Sequence, residues 1–558
     1  MSTDRLIYLP LGGAGEIGMN AYVYGYGAPG KERLILVDLG VTFSDMDTSP
    51  GVDLIFPDIG WLAERRDRLE AIFITHAHED HVGALAHLYD RLGPVPVHAR
   101  AFTAHLARAR MAEQGQPEKA VITASPWPET IEAGPFKVGF VPISHSIPES
   151  SGLVIDTPAG RVVHSGDFKM DTGPVVGEAF DEALWASLAE PGVLALTCDS
   201  TNVFSPHEGR SESGLGPAIE GLIAGAGGMF VATTFASNVA RVKTLAEAAQ
   251  RSGRTICLMG RAMRRMIEAA VETGVLTDFP GTVPPEEVRD IPRENLMLIV
   301  TGSRGERRAA SAQLAQGKYN GIELKPGDTF LFSSKTIPGN ERSVIRIINQ
   351  MSEKGVDVID DDTGRYHVSG HANRPDLQRL HRLVRPRVVV PMHGEHRHLR
   401  EHVKLAGEDG CRGVLAPNGT MVAITRAGAQ VAEYVETGRV YLDGRMQVGA
   451  LDGVMRDRIR MALNGHVLVN VIIDEDDEPL GEPWCEVHGL AEEGASRAPL
   501  VDVMEADLGQ FMRRAGDATL TDDDKLEQGL RKVARQTAVS EIGKRPEVTV
   551  IISRLTAG

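Results

Sequence analysis

The chain has 558 residues, more than the ~250–300 at which a single core stops growing, so we expect two or three domains. Hydrophobic residues make up 42% and charged residues 24%, as in folded soluble proteins, and no stretch approaches the ~20 apolar residues of a membrane helix. The net charge of −17 argues against non-specific nucleic-acid binding, although a local basic groove is still compatible with it.

Signals for secretion and for disulfide bonds are absent from the sequence. The start, MSTDRLIYLPLGG, lacks a basic segment followed by a long apolar one, so we expect no secretory signal, no membrane association and a cytoplasmic location. Cys198, Cys257, Cys411 and Cys485 lie far apart, without a CxxC pair. This spacing argues against a disulfide framework and against a thiolate zinc site, and it fits a reducing compartment.

Short apolar runs between turn-rich loops predict strands or hairpins in the first 200 residues. These runs are RLILVDLG (33–40), LEAIFITHAH (69–78), VPVHA (95–99), FKVGFVPISHS (136–146), GLVIDTPAGRVVHSGDF (152–168) and VLALTCDS (193–200). DHVGALAHLYDRLG (80–93) predicts a helix. GAGEIG (13–18) imitates a dinucleotide fingerprint, but the alternating MNAYVYGYG after it predicts a strand, so we expect a glycine turn and no nucleotide site.

From residue 209 to 374 the pattern changes to alternating strands and helices. Helix-like LGPAIEGLIAGA, NVARVKTLAEAAQRSG and RRMIEAAVETG alternate with GMFVATTF, TICLMG, NLMLIVTGS and DTFLFSS, which predicts a parallel sheet with its own core. RVVVPMHGE (387–395) resumes the pattern of short apolar strands and turn-rich loops seen in the first 200 residues. We expect hairpins from there to about residue 465. The tail predicts a strand, a charged helix and a final strand, PEVTVIISRL, in a small α/β domain.

The stretch THAHEDHVG (75–83) holds four residues of the kind that bind metals. His76 and His78 point to the same side of a strand end, and Asp80 and His81 begin the next helix. A single histidine at a strand end is usually only a polar residue, but the order H-x-H-x-D-H predicts a metal site. Nitrogen and carboxylate donors favour zinc or manganese over calcium or magnesium.

Four residues cannot saturate two ions, so we expect further ligands at the ends of later strands. The candidates are His145, Asp167 and His393. Together with the first four residues they complete a two-metal site.

H-x-H-x-D-H, followed by a downstream histidine and a Gly-Asp pair, resembles the metallo-β-lactamase superfamily, whose fold is an αββα sandwich with a dinuclear site at one edge. Asp38 in ILVDLG matches the structural aspartate of that superfamily's first motif. The fold carries out lactam, thioester, lactone and phosphodiester hydrolysis, so it does not name the substrate.

The insertion at 209–374 is similar to a β-CASP domain, and CDSTN (198–202), HVSGHA (367–372) and PMHGE (391–395) match further motifs of that group. With GAGEIGMN, GVDLIFPD, TFASN, TGSRGE and IPGNE, the chain resembles the ribonuclease J family over about residues 5–450. Ala77, Glu149 and Arg304 depart from the residues common there, and the tail departs most.

The resemblance implies an α/β fold: a metallo-β-lactamase sandwich with an inserted β-CASP α/β domain and a small C-terminal α/β domain. The expected limits are 1–208 for the first part of the sandwich, 209–374 for the β-CASP domain, 375–465 for the second part of the sandwich and a linker, and 466–558 for the C-terminal domain.

The resemblance also implies a role for each predicted ligand. One zinc ion would bind His76, His78 and His145, a second would bind Asp80, His81 and His393, and Asp167 would bridge them. Asp80 could also orient the attacking hydroxide, although a ligand role is enough to explain it.

The implied substrate loop is HVSGH, comprising His367, Val368, Ser369, Gly370 and His371. Its donors would grip the scissile phosphate, and His371 would help the 3′-oxygen leave as a donor or general acid. Ser237, Asn238 and Arg261 are the candidates for a pocket that binds a 5′-monophosphate.

Two further features concern charge. The inserted domain has a local supply of basic residues, namely Arg241, Lys243, Arg261, Arg264, Arg265, Arg304, Arg307 and Arg308. The resemblance also implies a structural calcium or magnesium ion held by the Gly51 carbonyl, Asp53 and Asp443, which the sequence alone would class as loop residues.

The predicted function is a zinc- or manganese-dependent ribonuclease that removes nucleotides from 5′-monophosphorylated single-stranded RNA and also cuts internally. The alternatives are a β-CASP nuclease acting on DNA or only endonucleolytically, a small-ester or thioester hydrolase, and a non-catalytic RNA-binding scaffold. The resemblance implies a homodimer or homotetramer, supported by the C-terminal domain, and partners in an RNA-decay complex.

Overall fold

The computed structural model describes residues 4–336, 340–360 and 364–555. The described residues up to Thr42 and those of Phe56–Arg439 form one compact unit. Phe43–Ile55 and the described residues from Val440 onward form a second. The predicted limits of the four domain segments stay a prediction, and the first three residues of IPGNE (337–341) lie outside the described residues.

The first part of the chain is rich in strands. The strands are β1 (Arg5–Gly12), β2 (Ala14–Gly15), β3 (Ala21–Gly27), β4 (Arg33–Val37), β5 (Leu54–Pro57), β6 (Leu69–Ile74), β7 (Val97–Ala99), β8 (Val121–Thr123), β9 (Ile131–Ala133), β10 (Phe136–Pro142), β11 (Ser151–Thr157), β12 (Gly160–His164) and β13 (Val193–Asp199). The helices are α1 (Gly60–Ala63), α2 (Glu79–Val82), α3 (Leu85–Leu92), α4 (Ala101–Glu113) and α5 (Glu182–Ser187).

The middle part alternates strands and helices. Its strands are β14 (Phe230–Thr233), β15 (Thr255–Met259), β16 (Leu296–Val300), β17 (Lys318–Tyr319), β18 (Ile322–Glu323), β19 (Thr329–Phe332) and β20 (Asp357–Ile359). Its helices are α6 (Gly216–Gly225), α7 (Val239–Arg251), α8 (Arg261–Glu272), α9 (Ala310–Gln316), α10 (Glu341–Glu353) and α11 (Arg374–Val384).

After α11 the chain returns to the sheets of its first part. The elements there are β21 (Val388–Met392), β22 (Gly394–Glu395), α12 (His396–Glu408), β23 (Arg412–Gly413), β24 (Thr420–Thr425) and β25 (Gly428–Tyr434). Short 3-10 turns cover Arg66–Arg68, Glu118–Ala120, Glu212–Gly214, Val288–Asp290 and Arg293–Asn295.

Two mixed sheets form a sandwich. One has eight strands in the order β25-β24-β1-β3-β4-β6-β7-β8, and the other has seven in the order β23-β21-β13-β12-β11-β10-β9. Apolar side chains of both sheets, such as Tyr8, Phe73, Phe140 and Val390, share one buried cluster between them. Helix α4 packs on β7 and β8 of the first sheet, and α5, α11 and α12 cover the second. The predicted αββα sandwich is confirmed.

The inserted part has a separate parallel sheet with the order β15-β16-β14-β19-β20. Buried apolar clusters cover both of its faces, one with α6, α7 and α8 and the other with α9 and α10. A parallel sheet buried on both faces explains why its strands are short, nearly continuous apolar runs. The predicted βαβ domain is confirmed.

The second unit contains its own small core. Its elements are β26 (Arg439–Asp443), β27 (Met446–Gly449), α13 (Val454–Asn464), β28 (His466–Ile473), β29 (Trp484–His488), α14 (Leu500–Arg514), α15 (Asp517–Leu520), α16 (Asp523–Ile542) and β30 (Glu547–Arg554). β28 lies between β29 and β30 and pairs with β30 in parallel. Leucines and methionines of α14 and α16 pack against alternate valines of β28, as expected of a small α/β domain.

Two predictions about helices need correction. The helix expected over residues 80–93 is two pieces, α2 and α3, separated at Gly83 and Ala84. The hairpins expected up to residue 465 share that stretch with the helices α12 and α13. Helix α12 escapes an apolar-periodicity search because His398 and His402 occupy buried positions on its inner face.

Candidate metal centre

Seven predicted ligands meet at one end of the sandwich because each follows the end of a strand or opens a helix. His76 and His78 follow β6, Asp80 and His81 lie in α2, and His145, Asp167 and His393 follow β10, β12 and β21. Their donor atoms form two groups, each within 4.8 Å: His76, His78, His145 and Asp167 in one, and Asp80, His81, Asp167 and His393 in the other. Asp167 belongs to both groups.

The distances within these groups are those of atoms arranged around a common point. In the first group, Nε2 of His76 lies 3.1 Å and Nε2 of His145 lies 3.2 Å from Nδ1 of His78. In the second, Nε2 of His81 lies 3.1 Å from Oδ2 of Asp167, and Nε2 of His393 lies 3.1 Å from Oδ2 of Asp80. Ligands about 2.0–2.2 Å from one tetrahedral ion have similar mutual separations.

Hydrogen bonds fix the rings of His81 and His76 from behind. Nδ1 of His81 lies 2.7 Å from Oδ2 of Asp38, and Thr75 donates its backbone N–H and its hydroxyl to the same carboxylate at 2.8 and 2.9 Å. The Thr75 hydroxyl also lies 3.0 Å from Nδ1 of His76. Oxygen partners behind a histidine fix its orientation and raise its basicity as a ligand.

Two other rings are fixed by more distant parts of the chain. Nδ1 of His393 lies 2.8 Å from the hydroxyl of Thr201, which follows β13. Nδ1 of His145 lies 2.6 Å from the backbone oxygen of Gly370, in the loop before α11. The first group of ligands is therefore tied to the HVSGH loop.

Asp167 shows that the residues fit a metal. Its side chain is buried, and Oδ1 has no hydrogen-bond partner among the described residues, while Oδ2 lies 3.1–3.9 Å from ring nitrogens of both groups. Burying an unpartnered carboxylate oxygen is costly, and a cation on each side removes that cost. The nitrogen and carboxylate donors suit zinc or manganese.

His371 lies beside the second group and is held by a residue whose role the sequence did not reveal. Nδ1 of His371 lies 2.7 Å from Oδ2 of Asp199, at the end of β13. Burial alone would lower the pKa of His371, but the carboxylates of Asp199, Asp167 and Asp80 outweigh burial and raise that pKa to about 9. The Asp199 carboxylate, which is not one of the predicted ligands, thus favours the protonated form of the ring.

The HVSGH loop is held in place by contacts on both sides. Asn202 donates to Oγ of Ser369 at 2.8 Å and to the carbonyl of His371 at 3.2 Å. Val368 is buried in the apolar cluster beside α7. A Cβ added to Gly370 would lie 2.7 Å from Oγ of Ser146 and 3.0 Å from Cε1 of His145, so only glycine fits beside these residues.

His367 contacts the buried Arg241, which donates from Nη1 to Nδ1 of His367 at 3.2 Å. The same guanidinium forms a two-pronged ion pair with Glu212 and donates to the carbonyl of Ser333 at 2.7 Å. Burial, and next the charges of Arg241 and Lys335, keep the pKa of His367 well below its usual range. A neutral ring that accepts at Nδ1 carries its proton on Nε2.

The three candidates for the 5′-phosphate pocket lie at one edge of the inserted sheet. Ser237 and Asn238 follow β14, and Arg261 follows β15, at the carboxyl ends of these parallel strands. Asn238 is buried and its Oδ1 accepts from the backbone N–H of Arg241 at 3.0 Å, so it caps α7. Arg261 is exposed at the first turn of α8.

The basic residues of the inserted part differ in exposure, and Arg264, Arg265 and Arg304 are half-buried. Arg241 is fully buried, and Lys243 is mostly buried and paired with Asp278 at 2.7 Å. Neither is placed to receive a phosphate. Arg307 and Arg308 are exposed, as is Arg261.

The predicted site for a hard cation lies in the second unit. Oδ2 of Asp53 accepts from the backbone N–H of Gly444 at 2.9 Å, and Oδ2 of Asp443 pairs with Arg458 at 2.5 Å. The Arg458 guanidinium also lies close to Gly51. The positively charged Arg458 side chain thus lies beside Gly51 and Asp443, two of the three predicted residues. The ion site stays a prediction.

Sequence reasoning missed several supporting residues. Asp199, Thr201 and Asn202 lie in the CDSTN motif, whose match to the group was noticed but whose contacts could not be derived. His164, three residues before Asp167, is held by Tyr24 and Thr197, whose hydroxyls each lie 3.0 Å from its Nδ1.

Four family models match the chain. "Metallo-beta-lactamase superfamily" matches residues 14–190, "Ribonuclease J, beta-CASP domain" 227–351, "Zn-dependent metallo-hydrolase RNA specificity domain" 363–417 and "Ribonuclease J C-terminal domain" 453–555. The fold, the ligand cluster and these matches define a hydrolase of the metallo-β-lactamase superfamily with an inserted β-CASP domain.

Curated relatives match along nearly the whole chain. Ribonuclease J of Sinorhizobium meliloti is 40% identical over 99% of this chain and 98% of its own length. Ribonuclease J of Mycolicibacterium smegmatis is 34% identical over 96% of this chain and 95% of its own length. Ribonuclease J 1 of Streptococcus pyogenes is 36% identical over 83% of this chain and 82% of its own length. The chain belongs to the ribonuclease J family, which supports a metal-dependent ribonuclease.

A solved structure supports the fold alone. It is the crystal structure of a protein of unknown function from Enterococcus faecalis V583, which is 17% identical and covers 75% of this chain with a TM-score of 0.52. Within residues 4–336, 340–360 and 364–555, no helix has the length and apolar character needed to span a membrane.

Proposed function

We propose that this chain is a zinc-dependent ribonuclease that removes nucleotides from 5′-monophosphorylated RNA in the 5′-to-3′ direction and also cuts internally. The observation that supports this most strongly is the pair of ligand groups sharing Asp167, with the HVSGH loop bonded directly to the ligand His145. This arrangement puts phosphate-binding donors next to a site for two cations.

The chain's residues divide the work of hydrolysis. One ion would be held by His76, His78 and His145, and the other would be held by Asp80, His81 and His393. Asp167 would contribute to both sites. When bound, two divalent cations neutralise phosphate charge and lower the pKa of a nearby water. Manganese is a second metal that these donors suit.

The leaving group requires a proton donor, and His371 supplies it. Asp199 holds Nδ1 of the ring, so Nε2 is the nitrogen left to face the 3′-oxygen of the departing fragment. Because its pKa is raised to about 9, the ring carries both protons at neutral pH. Proton donation of this type contributes roughly 10²–10⁴-fold to a rate.

The HVSGH loop binds the scissile phosphate in this proposal. The neutral His367 would donate from Nε2, and the hydroxyl of Ser369 and the backbone around Gly370 offer further donors. Arg241 and Asn202 keep the loop in one conformation before substrate arrives. Preorganised donors stabilise developing charge without reorganising during the reaction.

The preference for a 5′-monophosphate would come from the edge of the inserted sheet. Ser237, Asn238 and the exposed Arg261 lie where the N-termini of α7 and α8 point, and helix N-termini attract anions. The exposed Arg307 and Arg308 add positive charge to a chain with a net charge of −17.

The test uses one single-stranded RNA labelled at its 5′ end, carrying either a monophosphate or a triphosphate, together with a DNA of the same sequence. We expect labelled mononucleotide, released faster from the monophosphate RNA, and none with Asp80→Ala. Longer labelled fragments from both RNAs would mean an endonuclease that ignores the 5′ end. Equal cleavage of DNA would replace the proposal by a general β-CASP nuclease.

We also propose that the chain forms a homodimer, or a homotetramer built from dimers, through its C-terminal domain. Trp484, Ile472 and Ile551 are 47%, 39% and 44% exposed on the face of the β29-β28-β30 sheet away from its helices. An apolar patch of this kind favours a protein interface. A chain ending at residue 465 should therefore form assemblies with at most half as many chains, as measured by light scattering, and an unchanged number of chains would refute the interface.

Three further points belong to the same proposal. The location is cytoplasmic, and the protein works in RNA maturation and decay, including rRNA processing, with partners in an RNA-decay complex. Gly51, Asp53 and Asp443 would hold a calcium or magnesium ion once Arg458 moves aside.

A further inference from the structure

A second cluster of metal-binding side chains lies beneath the helices that cover the seven-stranded sheet. It consists of Cys198 near the end of β13, His381 in the last turn of α11 and His402 in the middle of α12. Their donor atoms lie within 4.8 Å of one another, and all three side chains are buried. None of the three belongs to the candidate metal centre.

The two rings present the same nitrogen to each other. Nε2 of His381 lies 3.1 Å from Nε2 of His402. Behind them, Nδ1 of His381 lies 2.8 Å from Oδ2 of Asp409, and Nδ1 of His402 lies 2.9 Å from Oγ of Ser200. Each ring thus has an oxygen partner on the side away from its neighbour, which is the arrangement found behind metal-binding histidines.

The positions of the protons make this pair unusual. A carboxylate only accepts, so His381 carries its proton on Nδ1 and Nε2 has a free lone pair. Oγ of Ser200 lies 3.2 Å from the carbonyl of Cys198 and 2.9 Å from Nδ1 of His402. When the hydroxyl donates to that carbonyl, His402 donates from Nδ1 to Ser200 and Nε2 of His402 also has a free lone pair. The lone pairs on Nε2 of His381 and Nε2 of His402 then lie 3.1 Å apart and repel each other. A cation bound by both nitrogens would remove that repulsion.

Cys198 supplies the third donor. Burial and the neighbouring Asp199 carboxylate raise the pKa of its thiol well above the usual range, so the sulfur is a thiolate only when a cation replaces its proton. Two imidazoles and one thiolate form a donor set that suits zinc, with water in the fourth position.

We propose that Cys198, His381 and His402 bind a structural zinc ion that ties α11 and α12 to β13. The same strand carries Asp199, which holds His371, and α11 follows directly on the HVSGH loop. The ion would therefore make β13 and α11 more rigid where they support His371. The surroundings are apolar, including Leu380 and Leu405, so the ion enters while the chain folds.

Cobalt substitution separates this site from the candidate metal centre, whose donors are nitrogen and oxygen only. Cobalt bound to a thiolate gives a sulfur-to-metal charge-transfer absorption in the near ultraviolet. We expect that band in the cobalt-loaded full chain and its loss in Cys198→Ser and in His402→Gln. Zinc-loaded Cys198→Ser should contain one zinc fewer per chain than the wild type, by mass spectrometry of the metals.

Matched variants guard against misfolding and against other thiols. His396→Gln makes the same exchange at an exposed position of α12, and Cys411→Ser removes another thiol of the same apolar cluster. Both should keep the band. Circular dichroism verifies the fold of every variant, and Cys198→Ala repeats the test if Cys198→Ser unfolds. A folded, cobalt-loaded wild type without the band, or a band that survives in Cys198→Ser, would overturn the proposal and leave a proton shared by two histidines.

Discussion

Replacing Gly370 by alanine tests whether the HVSGH loop must lie against the metal ligands. The added Cβ would meet Oγ of Ser146 at 2.7 Å, Cβ of Ser146 at 2.9 Å and Cε1 of His145 at 3.0 Å. Carbon atoms pack best at about 3.5–4.0 Å, so the loop or the ligand has to move by roughly 0.5–1 Å. Gly370 also accepts from Nδ1 of His145, and the shift loosens that bond.

The expected effect is on catalysis more than on folding. A misplacement of about 1 Å costs on the order of 10²-fold in rate, so kcat/KM for RNA should fall about 10–100-fold. The assay is initial-rate cleavage of 5′-labelled RNA by zinc-loaded protein, with Tm measured in parallel. Ser146→Gly combined with Gly370→Ala removes two of the three close contacts and should recover part of the loss.

The matched control is Gly221→Ala in α6, where an added Cβ meets no atom of the described residues within 4 Å. That variant should keep wild-type kcat/KM, since alanine is favoured in a helix. Wild-type kcat/KM in Gly370→Ala would show that the loop does not need its contact with His145, and the positioning argument would fail.

Two other variants test the residues that support the site. Asp199→Asn removes the largest of the charges that raise the pKa of His371 to about 9, so the ring should lose its proton at lower pH. The alkaline limb of the kcat–pH profile should then shift to lower pH, and an unmoved limb would rule out His371 as the acid. Arg241→Ala leaves Glu212 buried and unpaired, at a cost of about 3–5 kcal/mol in the free energy of unfolding. Arg251→Ala removes one partner of an exposed ion pair with Glu220 and should lower the free energy of unfolding by about 0–1 kcal/mol. Equal urea midpoints for Arg241→Ala and Arg251→Ala would contradict the expected difference between the buried and the exposed pair.

The sequence predicted the strands, and it predicted which candidate ligands lie together at the strand ends, because both depend on local patterns. Apolar runs of four to eight residues mark the central strands, and H-x-H-x-D-H puts four donors at one strand end whatever the rest of the fold does. His145, Asp167 and His393 could be proposed because they too follow apolar strands.

Contacts between distant residues were out of reach. Asp199 meets His371 across 172 positions, and no spacing rule links a carboxylate in one strand to a loop histidine so far away. Cys198 illustrates the same limit, since the absence of a CxxC pair argued against a thiolate site. Its partners on α11 and α12 come close only after the helices pack on the sheet.

Helix α12 was missed for a different reason. Its buried face contains His398 and His402 next to Leu399 and Leu405, so the apolar period is interrupted. Buried histidines are tolerated there because each finds a polar partner, as His402 does in Ser200.

We propose that one cluster of side chains holds the ions that let this chain cleave RNA. The most direct measurement strips the protein with a chelator, verifies its fold, and follows cleavage of 5′-monophosphorylated RNA as zinc or manganese is returned, with Asp167→Ala alongside. We expect no cleavage by the stripped protein, recovery in the wild type, and no recovery in the variant that lacks the shared residue Asp167. Undiminished cleavage after stripping, or full recovery in Asp167→Ala, would contradict it.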